Sequence, residues 1–323
     1  MLKYIIKRLL LSVVILLGVS FIVYALVRCM PVDFVESKIT AISQNTEVSS
    51  DLIDKMYEAY GLDGSIIEGY MSWLSKLCRF DFGTRFSNGR SVVSEIKDHM
   101  GISFIVAFVA TIFEFMIAIP LGITAATHQY SIRDYVVTIF VMIGISLPSF
   151  FFGRVLQGIA PSLGLPRSGL GNASSSSTGF AKLLEYVPYL IIPIFLVVVL
   201  SIGGRMRMTR TNMLEVMNSD YIRTARAKGL SEHKVIYKHA FRNTLIPLVT
   251  SLAGLLPTLF SGAIITEQIF DLPGIGNVAL KATMSADIPF IMGYNMFLAL
   301  LSILGVLFAD IMYAIVDPRV KLS

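Results

Sequence analysis

Charge is scarce in this sequence. Of its 323 residues only 15% are Asp, Glu, Lys or Arg, where an ordinary soluble domain carries about a quarter. With 54% hydrophobic residues and a mean hydropathy of +0.71, the chain has too little polar surface to face water, which excludes a soluble enzyme and a disordered chain. Cysteine is nearly absent as well. Cys29 and Cys78 allow one bridge at most and neither stands in a CxxC spacing, which excludes a disulfide-built secreted scaffold. The four histidines, His99, His128, His233 and His239, are scattered, and neither an HExxH helix nor a GxxxxGK[ST] phosphate loop occurs. No metal site and no catalytic residue is therefore nominated, and the chain is not expected to bind or hydrolyse ATP by itself.

What the sequence does have is apolar runs of bilayer length. Leu9 to Val27 is free of charge over 19 residues and follows Lys3, Lys7 and Arg8, the pattern of a transmembrane helix with a positive inner flank. A cleaved signal peptide also begins basic, but its apolar core is about 7–15 residues and ends in small residues. Leu26-Val27-Arg28-Cys29 has the outline of a lipoprotein cleavage site, against which the bulky charged Arg28 argues. Further runs cover Ile102 to Thr127, Tyr135 to about Ala160, Pro188 to Gly204, Asn243 to Thr266 and Phe290 to Val316. These are six candidate spans, most near the roughly 20 residues needed to cross about 30 Å of hydrocarbon. Pro120, Pro148, Pro193 and Pro257 fall inside them and are read as kinks that a helical bundle accommodates. The expected fold class is an all-α membrane protein, a polytopic bundle of six transmembrane helices.

Basic residues orient the bundle. Between spans four and five lie Arg205, Arg207, Arg210, Arg223, Arg226, Lys228, Lys234, Lys238 and Arg242 against only Glu215, Asp220 and Glu232, so this connection is expected in the cytoplasm. Six spans then place both termini inside, in agreement with the basic N-terminal flank and with Arg319 and Lys321. The expected divisions are 1–30 (inner flank and first span), 31–100 (extracytoplasmic helical segment), 101–316 (spans two to six with the cytoplasmic loop 205–242) and 317–323 (inner tail). The segment 31–100 is acidic, eleven Asp or Glu against seven Lys or Arg. In it Ser50 is placed to cap a helix with Leu52, Ile53, Met56, Tyr57 and Tyr60 on one face. A second amphipathic helix is expected at Ile66 to Leu77. Gly171 to Gly179, rich in Ser, reads as a flexible external turn.

The most unusual inner segment runs from Ser219 to Ser231. Ser219 or Asp220 can cap a short helix, Gly229 can take the left-handed stop, and Ser231 can start a second helix. Such a short exposed helix between two membrane helices suits a groove on a cytoplasmic partner. Ordinary loading of an inner loop with positive charge explains the same residues, and physical chemistry alone leaves both readings open.

The order of residues adds a resemblance. Tyr221-Ile222-Arg223-Thr224-Ala225-Arg226-Ala227-Lys228-Gly229-Leu230, followed by His239-Ala240-Phe241-Arg242-Asn243-Thr244-Leu245-Ile246-Pro247, resembles the cytoplasmic EAA loop of ABC-importer permeases of the oligopeptide, dipeptide and nickel type. Other pieces follow in family order: Tyr4 to Leu10, Tyr60 to Asp63, Phe80 to Gly83, Gly89 to Val92, Ile119 to Gly122, Phe270 to Gly276 and Ala309 to Arg319. Together they cover nearly the whole chain, and the long segment after span one is similar to the B-type subunit. Arg223-Thr224-Ala225 stands where the wider pattern has Glu-Ala-Ala, and Gly101-Ile102-Ser103 where the family has Pro-Ala-Thr.

The resemblance implies a type I ABC-importer permease in the cell inner membrane, non-catalytic and without a cofactor of its own. Its implied partners are a second permease, two ATPases that carry ATP and Mg, and an extracytoplasmic substrate-binding protein; nucleic acid is not among them. It implies that Tyr221, Arg223, Thr224, Ala225, Arg226, Ala227, Lys228, Gly229, Leu230 and Ser231 couple the chain to the ATPases, and segment 31–100 is the candidate dock for the binding protein. Charges inside spans are costly and face a cavity or a partner. Glu114, Arg154 and Glu267 are accordingly candidates for lining a path that accepts zwitterionic peptides. The plainer alternative is that they pair with one another or with the second permease, with Arg154 and Glu267 reaching the surface. The rival functions are a stand-alone carrier that uses carboxylates such as Glu114 and Asp310, a non-transporting scaffold that recruits an enzyme, and, within the family, a permease for nickel or another solute.

Overall fold

The computed structural model describes residues 2–28, 65–85, 87–171, 180–285 and 287–316. The expected helix after Ser50, the residue Cys29 and nearly all of the Ser-rich turn lie outside the described residues. In chain order the helices are α1 (Leu2–Arg28), α2 (Ile66–Leu77), α3 (Val92–Thr127), α4 (Ile132–Ser146), α5 (Ser149–Ile159), α6 (Phe180–Met217) and α7 (Asp220–Ala227). A helical turn Glu232–Lys234 then enters a π-helical stretch Val235–Phe241 and continues as α8 (Arg242–Thr250). After a 3-10 turn Ser251–Gly254 come α9 (Leu255–Ser261), α10 (Ile264–Ile269), α11 (Ile275–Met284) and α12 (Ile288–Val316). Among the described residues the only extended pairing is an isolated bridge between Thr84 and Ser91.

By length and composition α3, α6, the run Glu232–Ile269 and α12 are able to cross a membrane. The pair α4 and α5 adds a fifth span if it is counted as one, and α1 carries a shorter apolar stretch, Leu10–Leu26. The expected third span is not a kinked helix: α4 and α5 meet at 94°. Pro148 supplies no N–H to continue α4, and it holds the preceding Leu147 in extended backbone, φ −77° and ψ 127°. The expected fifth span is also interrupted, because Gly262 adopts φ +74° between α9 and α10. α6 in turn runs well past the predicted end at Gly204 and carries Arg205, Arg207 and Arg210 as helical residues.

The chain divides into two compact units, Met1–Met100 with Val278–Ile303, and Gly101–Asn277 with Leu304–Leu322. In the first, Ser65 and Glu68 cap α2 reciprocally: the Glu68 N–H donates to Ser65 Oγ at 3.3 Å and the Ser65 N–H to Glu68 Oε2 at 3.1 Å. That fixes where α2 starts. Its Tyr70 packs with Tyr24 and Met292, and its hydroxyl pairs with Ser20 Oγ at 2.8 Å. The same unit holds a polar cluster around the buried carboxylates of Glu95 and Asp287. Arg85 donates to Asp287 at 3.0 Å and to Glu95 at 3.3 Å, and Asn88 and Arg90 also donate to Glu95, at 2.9 and 3.2 Å. Glu95 precedes the apolar run of α3 that begins at Ile102. Burial opposes its ionisation, but the Asn88 hydrogen bond and the charges of Arg85, Arg90 and His99 outweigh burial and hold its pKa below the ordinary glutamate value.

The second unit is built on α3, α4 and α6. Val141, Val198, Ile202 and Met206 pack with the alanines of α3 at 110, 118 and 125. Small residues permit the close approach: a side chain at Gly122 would meet the backbone carbonyl of Met206 at 2.8 Å. That is how lipid-embedded helices gain contact without a hydrophobic driving force between them.

Candidate functional site

Helix α7 is eight residues long and begins after Ser219 in extended backbone. The expected side-chain cap is not made, because Ser219 Oγ donates to the Val216 carbonyl at 2.6 Å. The far end follows the sequence reading. Gly229 takes φ +76°, its N–H donates to the Arg226 carbonyl at 2.9 Å, and the Lys228 N–H donates to Thr224 at 3.1 Å. A Cβ at Gly229 would meet nothing within 4 Å, so glycine is required there for its backbone angle and not for space.

The ten residues marked by the resemblance divide by face. Tyr221, Arg223, Thr224, Arg226, Ala227, Lys228, Gly229 and Ser231 are exposed, Leu230 is half-buried and Ala225 is buried. Ala225 and the fully buried Ile222 pack against Ile123 and Ala126 of α3, Met213 of α6, and Val235 and Ala240 of the π-helical stretch. Burial of Ile222 alone is worth about 1.5–3 kcal/mol. The outward face is braced by Arg226, which grips Glu232 with two hydrogen bonds of 2.8 and 3.3 Å. The result is a short helix with a polar outer face and an apolar foot set among α3, α6 and the π-helical stretch. The foot, Ile222 with Val235 and Met213, was missed from sequence; the i, i+3 spacing of Ile222 and Ala225 was the available signal.

Among the intramembrane charges, Glu114 on α3 is paired. Arg205 Nε donates to Glu114 Oε1 at 3.0 Å, Arg205 Nη1 donates to Ser251 Oγ at 2.6 Å, and the guanidinium lies 4.4 Å from the centre of the Phe115 ring. Arg205, counted from sequence with the inner loop, thus stands inside the bundle as the counter-ion of Glu114. Arg154 is exposed on α5 and donates to Gln157 at 2.8 Å, while Gln157 donates to the Ile269 carbonyl at 2.6 Å. Asp310 is half-buried on α12.

Glu267 is fully buried. Its Oε1 accepts from Ser103 Oγ at 2.6 Å and from the Ala263 N–H at 3.2 Å, and its Oε2 accepts from the Asn277 N–H at 2.9 Å. Ser103 Oγ accepts in turn from the Ile275 N–H at 2.9 Å. The carboxylate thereby serves two of the orphan donors at the start of α11, one directly and one through Ser103. Glycine makes room for it: a Cβ at Gly274 would overlap the Glu267 carboxyl, and one at Gly276 would stand 2.9 Å from Oε2. The Pro273-Gly274-Ile275-Gly276 run is the socket of this glutamate. Among the described residues no group of three or more His, Cys, Asp or Glu is placed to hold a metal ion.

Residues 118–322 match the family described as binding-protein-dependent transport system inner membrane component. Residues 1–107 match the N-terminal region of binding-protein-dependent transport system membrane components. The chain is 35% identical to the oligopeptide transport system permease protein AppB of Bacillus subtilis (strain 168), over 99% of this chain and 100% of that protein. It is 32% identical to the dipeptide transport system permease protein DppB of Alkalihalophilus pseudofirmus, over 99% and 100% respectively. It is also 32% identical to a putative peptide transport system permease protein of Brucella abortus (strain 2308), over 98% of both chains.

Proposed function

Because the chain belongs to the family of binding-protein-dependent transport system inner membrane components, we propose that it is the transmembrane permease subunit of an ATP-driven ABC importer for peptides. Full-length similarity to oligopeptide and dipeptide permeases supports the peptide. In this reading the chain crosses the cell inner membrane six times with both termini in the cytoplasm and catalyses no reaction. A second permease completes the pathway, two ATPases hold ATP and Mg, and an external binding protein delivers the solute and selects it, peptide or, in other members, nickel chelates.

The observation that carries the mechanism is the two-faced α7. Its exposed Tyr221, Arg223, Thr224 and Lys228 meet the ATPases, and its foot of Ile222 and Ala225 is seated among α3, α6 and the π-helical stretch. When the ATPases close on ATP, a push on α7 passes into those helices, and the paired bundles exchange inward for outward access. A gradient-driven carrier needs an intramembrane carboxylate free to exchange a proton or ion; the ion pair of Glu114 with Arg205 weighs against Glu114 in that role.

Gly229→Asp tests the reading. Inside this chain the new Cβ meets nothing within 4 Å, and Asp, like Asn, eases the left-handed angle, so its internal cost is below the roughly 1–2 kcal/mol of an ordinary residue there. Purified in mild detergent, the tagged wild type is expected to bring the second permease and an ATPase activity. Gly229→Asp is expected to lose that activity or its coupling, and Gly229→Asn, which shares its backbone tolerance without the charge, to keep most of it. A wild type that purifies alone, or a Gly229→Asp complex with full coupled transport, refutes the assignment.

A further inference from the structure

Beside the partly buried ion pair of Asp134 and Arg210 lies an open cavity of about 430 Å³ between α4 and α6, within the second unit. Arg210 donates to Asp134 through Nε at 3.0 Å and Nη2 at 2.8 Å, and the Tyr130 N–H donates to the same carboxylate at 3.0 Å. The acid in the cavity wall is thereby neutralised. Arg207, one turn earlier on α6, also lines the cavity, and its contact there is Met142 Sδ at 3.3 Å. No carboxylate of the described residues stands within ion-pair distance of Arg207, so the cavity carries an uncompensated positive charge.

The rest of the lining is of two kinds. Val141, Met142 and Met206 form an apolar wall, and the exposed rings of Tyr130 and Tyr135 stand at the rim. Tyr130 is held there in left-handed backbone, φ +62°, by its hydrogen bond to Asp134. The cavity also sits where two apolar runs end, Tyr135 onward in α4 and Pro188 to Gly204 in α6. An exposed cation, amphipathic tyrosines and an apolar wall at the end of two spans complement an anionic headgroup with the upper part of its acyl chains. We propose that this cavity is a binding site for one anionic phospholipid, with its phosphodiester on Arg207. Its placement in the cytoplasmic leaflet rests on the topology proposed above.

The test uses the assembled transporter in nanodiscs of phosphatidylcholine with a minor fraction of phosphatidylglycerol, with retained lipid counted by native mass spectrometry after extraction. Wild type is expected to hold phosphatidylglycerol in preference to phosphatidylcholine. Arg207→Gln is expected to hold it about fivefold more weakly, the factor that corresponds to about 1 kcal/mol for one basic residue near a membrane surface. Arg207→Lys is expected to retain most of it. Arg133→Gln, which removes an exposed cation bonded to His128 outside the cavity lining, is expected to match wild type. Equal retention in wild type and Arg207→Gln, or an equal loss in Arg133→Gln, overturns the proposal. Displacement of the lipid by millimolar inorganic phosphate marks a free-anion site and overturns it too, and loss of the ATPases from Arg207→Gln with lipid unchanged assigns the arginine to a protein partner. Co-purification of ATPase with wild type is read separately, so a failure of the importer reading is distinguishable from a failure of the lipid site.

Discussion

Glu267→Ala removes the acceptor of three donors at once: the Ser103 hydroxyl and the N–H groups of Ala263 and Asn277. The residue is fully buried, so bulk water does not take over these donors. At about 1–2 kcal/mol for each donor left without a partner, the loss is about 3–6 kcal/mol. A water seated in the vacated space brings the result to the low end of that range. At roughly 2 °C per kcal/mol for a chain of this size, the apparent melting temperature falls by at least about 6 °C. The assay is the fraction of tagged chain that stays monodisperse on size exclusion after stepwise heating in detergent. Glu267→Gln keeps one carbonyl acceptor but turns an amide toward N–H donors, so it falls between Ala and wild type. Ser103→Ala costs less, since it removes one partner of the carboxylate and one acceptor of the Ile275 N–H, and the double variant is less destabilised than the sum of the singles. Gly274→Ala, whose Cβ lands on the carboxyl, is as damaging as Glu267→Ala. If Glu267→Ala melts within about 2 °C of wild type, the carboxylate does not hold the start of α11, and its role as a lining of the solute path becomes the better reading.

Two further outcomes follow from the geometry. The pKa of Glu95 is lowered in the folded chain from its ordinary 4.5, so its cluster contributes stability that is fully present above that value and is lost as pH falls through the lowered folded value. Thermal stability should therefore hold from neutral pH to about the ordinary value and drop below it, and Glu95→Gln should flatten that part of the profile; a profile unchanged by Glu95→Gln refutes the assignment. Gly122→Ala and Gly153→Ala should differ although both are helix contacts. At Gly122 the Cβ meets a backbone carbonyl at 2.8 Å, whereas at Gly153 it meets the movable ends of Ile269 and Leu196 at 2.7 and 3.0 Å. Overpacking against backbone should cost about 1–3 kcal/mol and the other under about 1, and equal melting temperatures for the two refute this distinction.

Local chemistry made much of the architecture readable. The amphipathic pattern alone placed α2 on Ile66–Leu77, where the helix is found. Gly229 announces the end of α7 because only glycine takes that backbone angle without cost. Where the reading fell short, the deciding atoms lie far apart in sequence. Pro148 was read as a kink, yet the two halves meet at 94°, which no local pattern sizes. Arg205 was grouped with the inner loop because its neighbours are basic, whereas its partners Glu114 and Ser251 lie 91 and 46 residues away.

The apolar runs by themselves determined a helical membrane protein, because backbone polar groups in hydrocarbon must be satisfied within the segment. The order of residues from Tyr221 to Pro247 by itself pointed to the family that the full-length relatives bear out. Only the tertiary structure showed which groups the buried charges meet. Charge and spacing are the same for a glutamate that lines a path and for one that caps a helix; the difference is whether the Ala263 and Asn277 N–H groups and the Ser103 hydroxyl converge on it. That convergence belongs to the packing of distant segments, and no local pattern carries it.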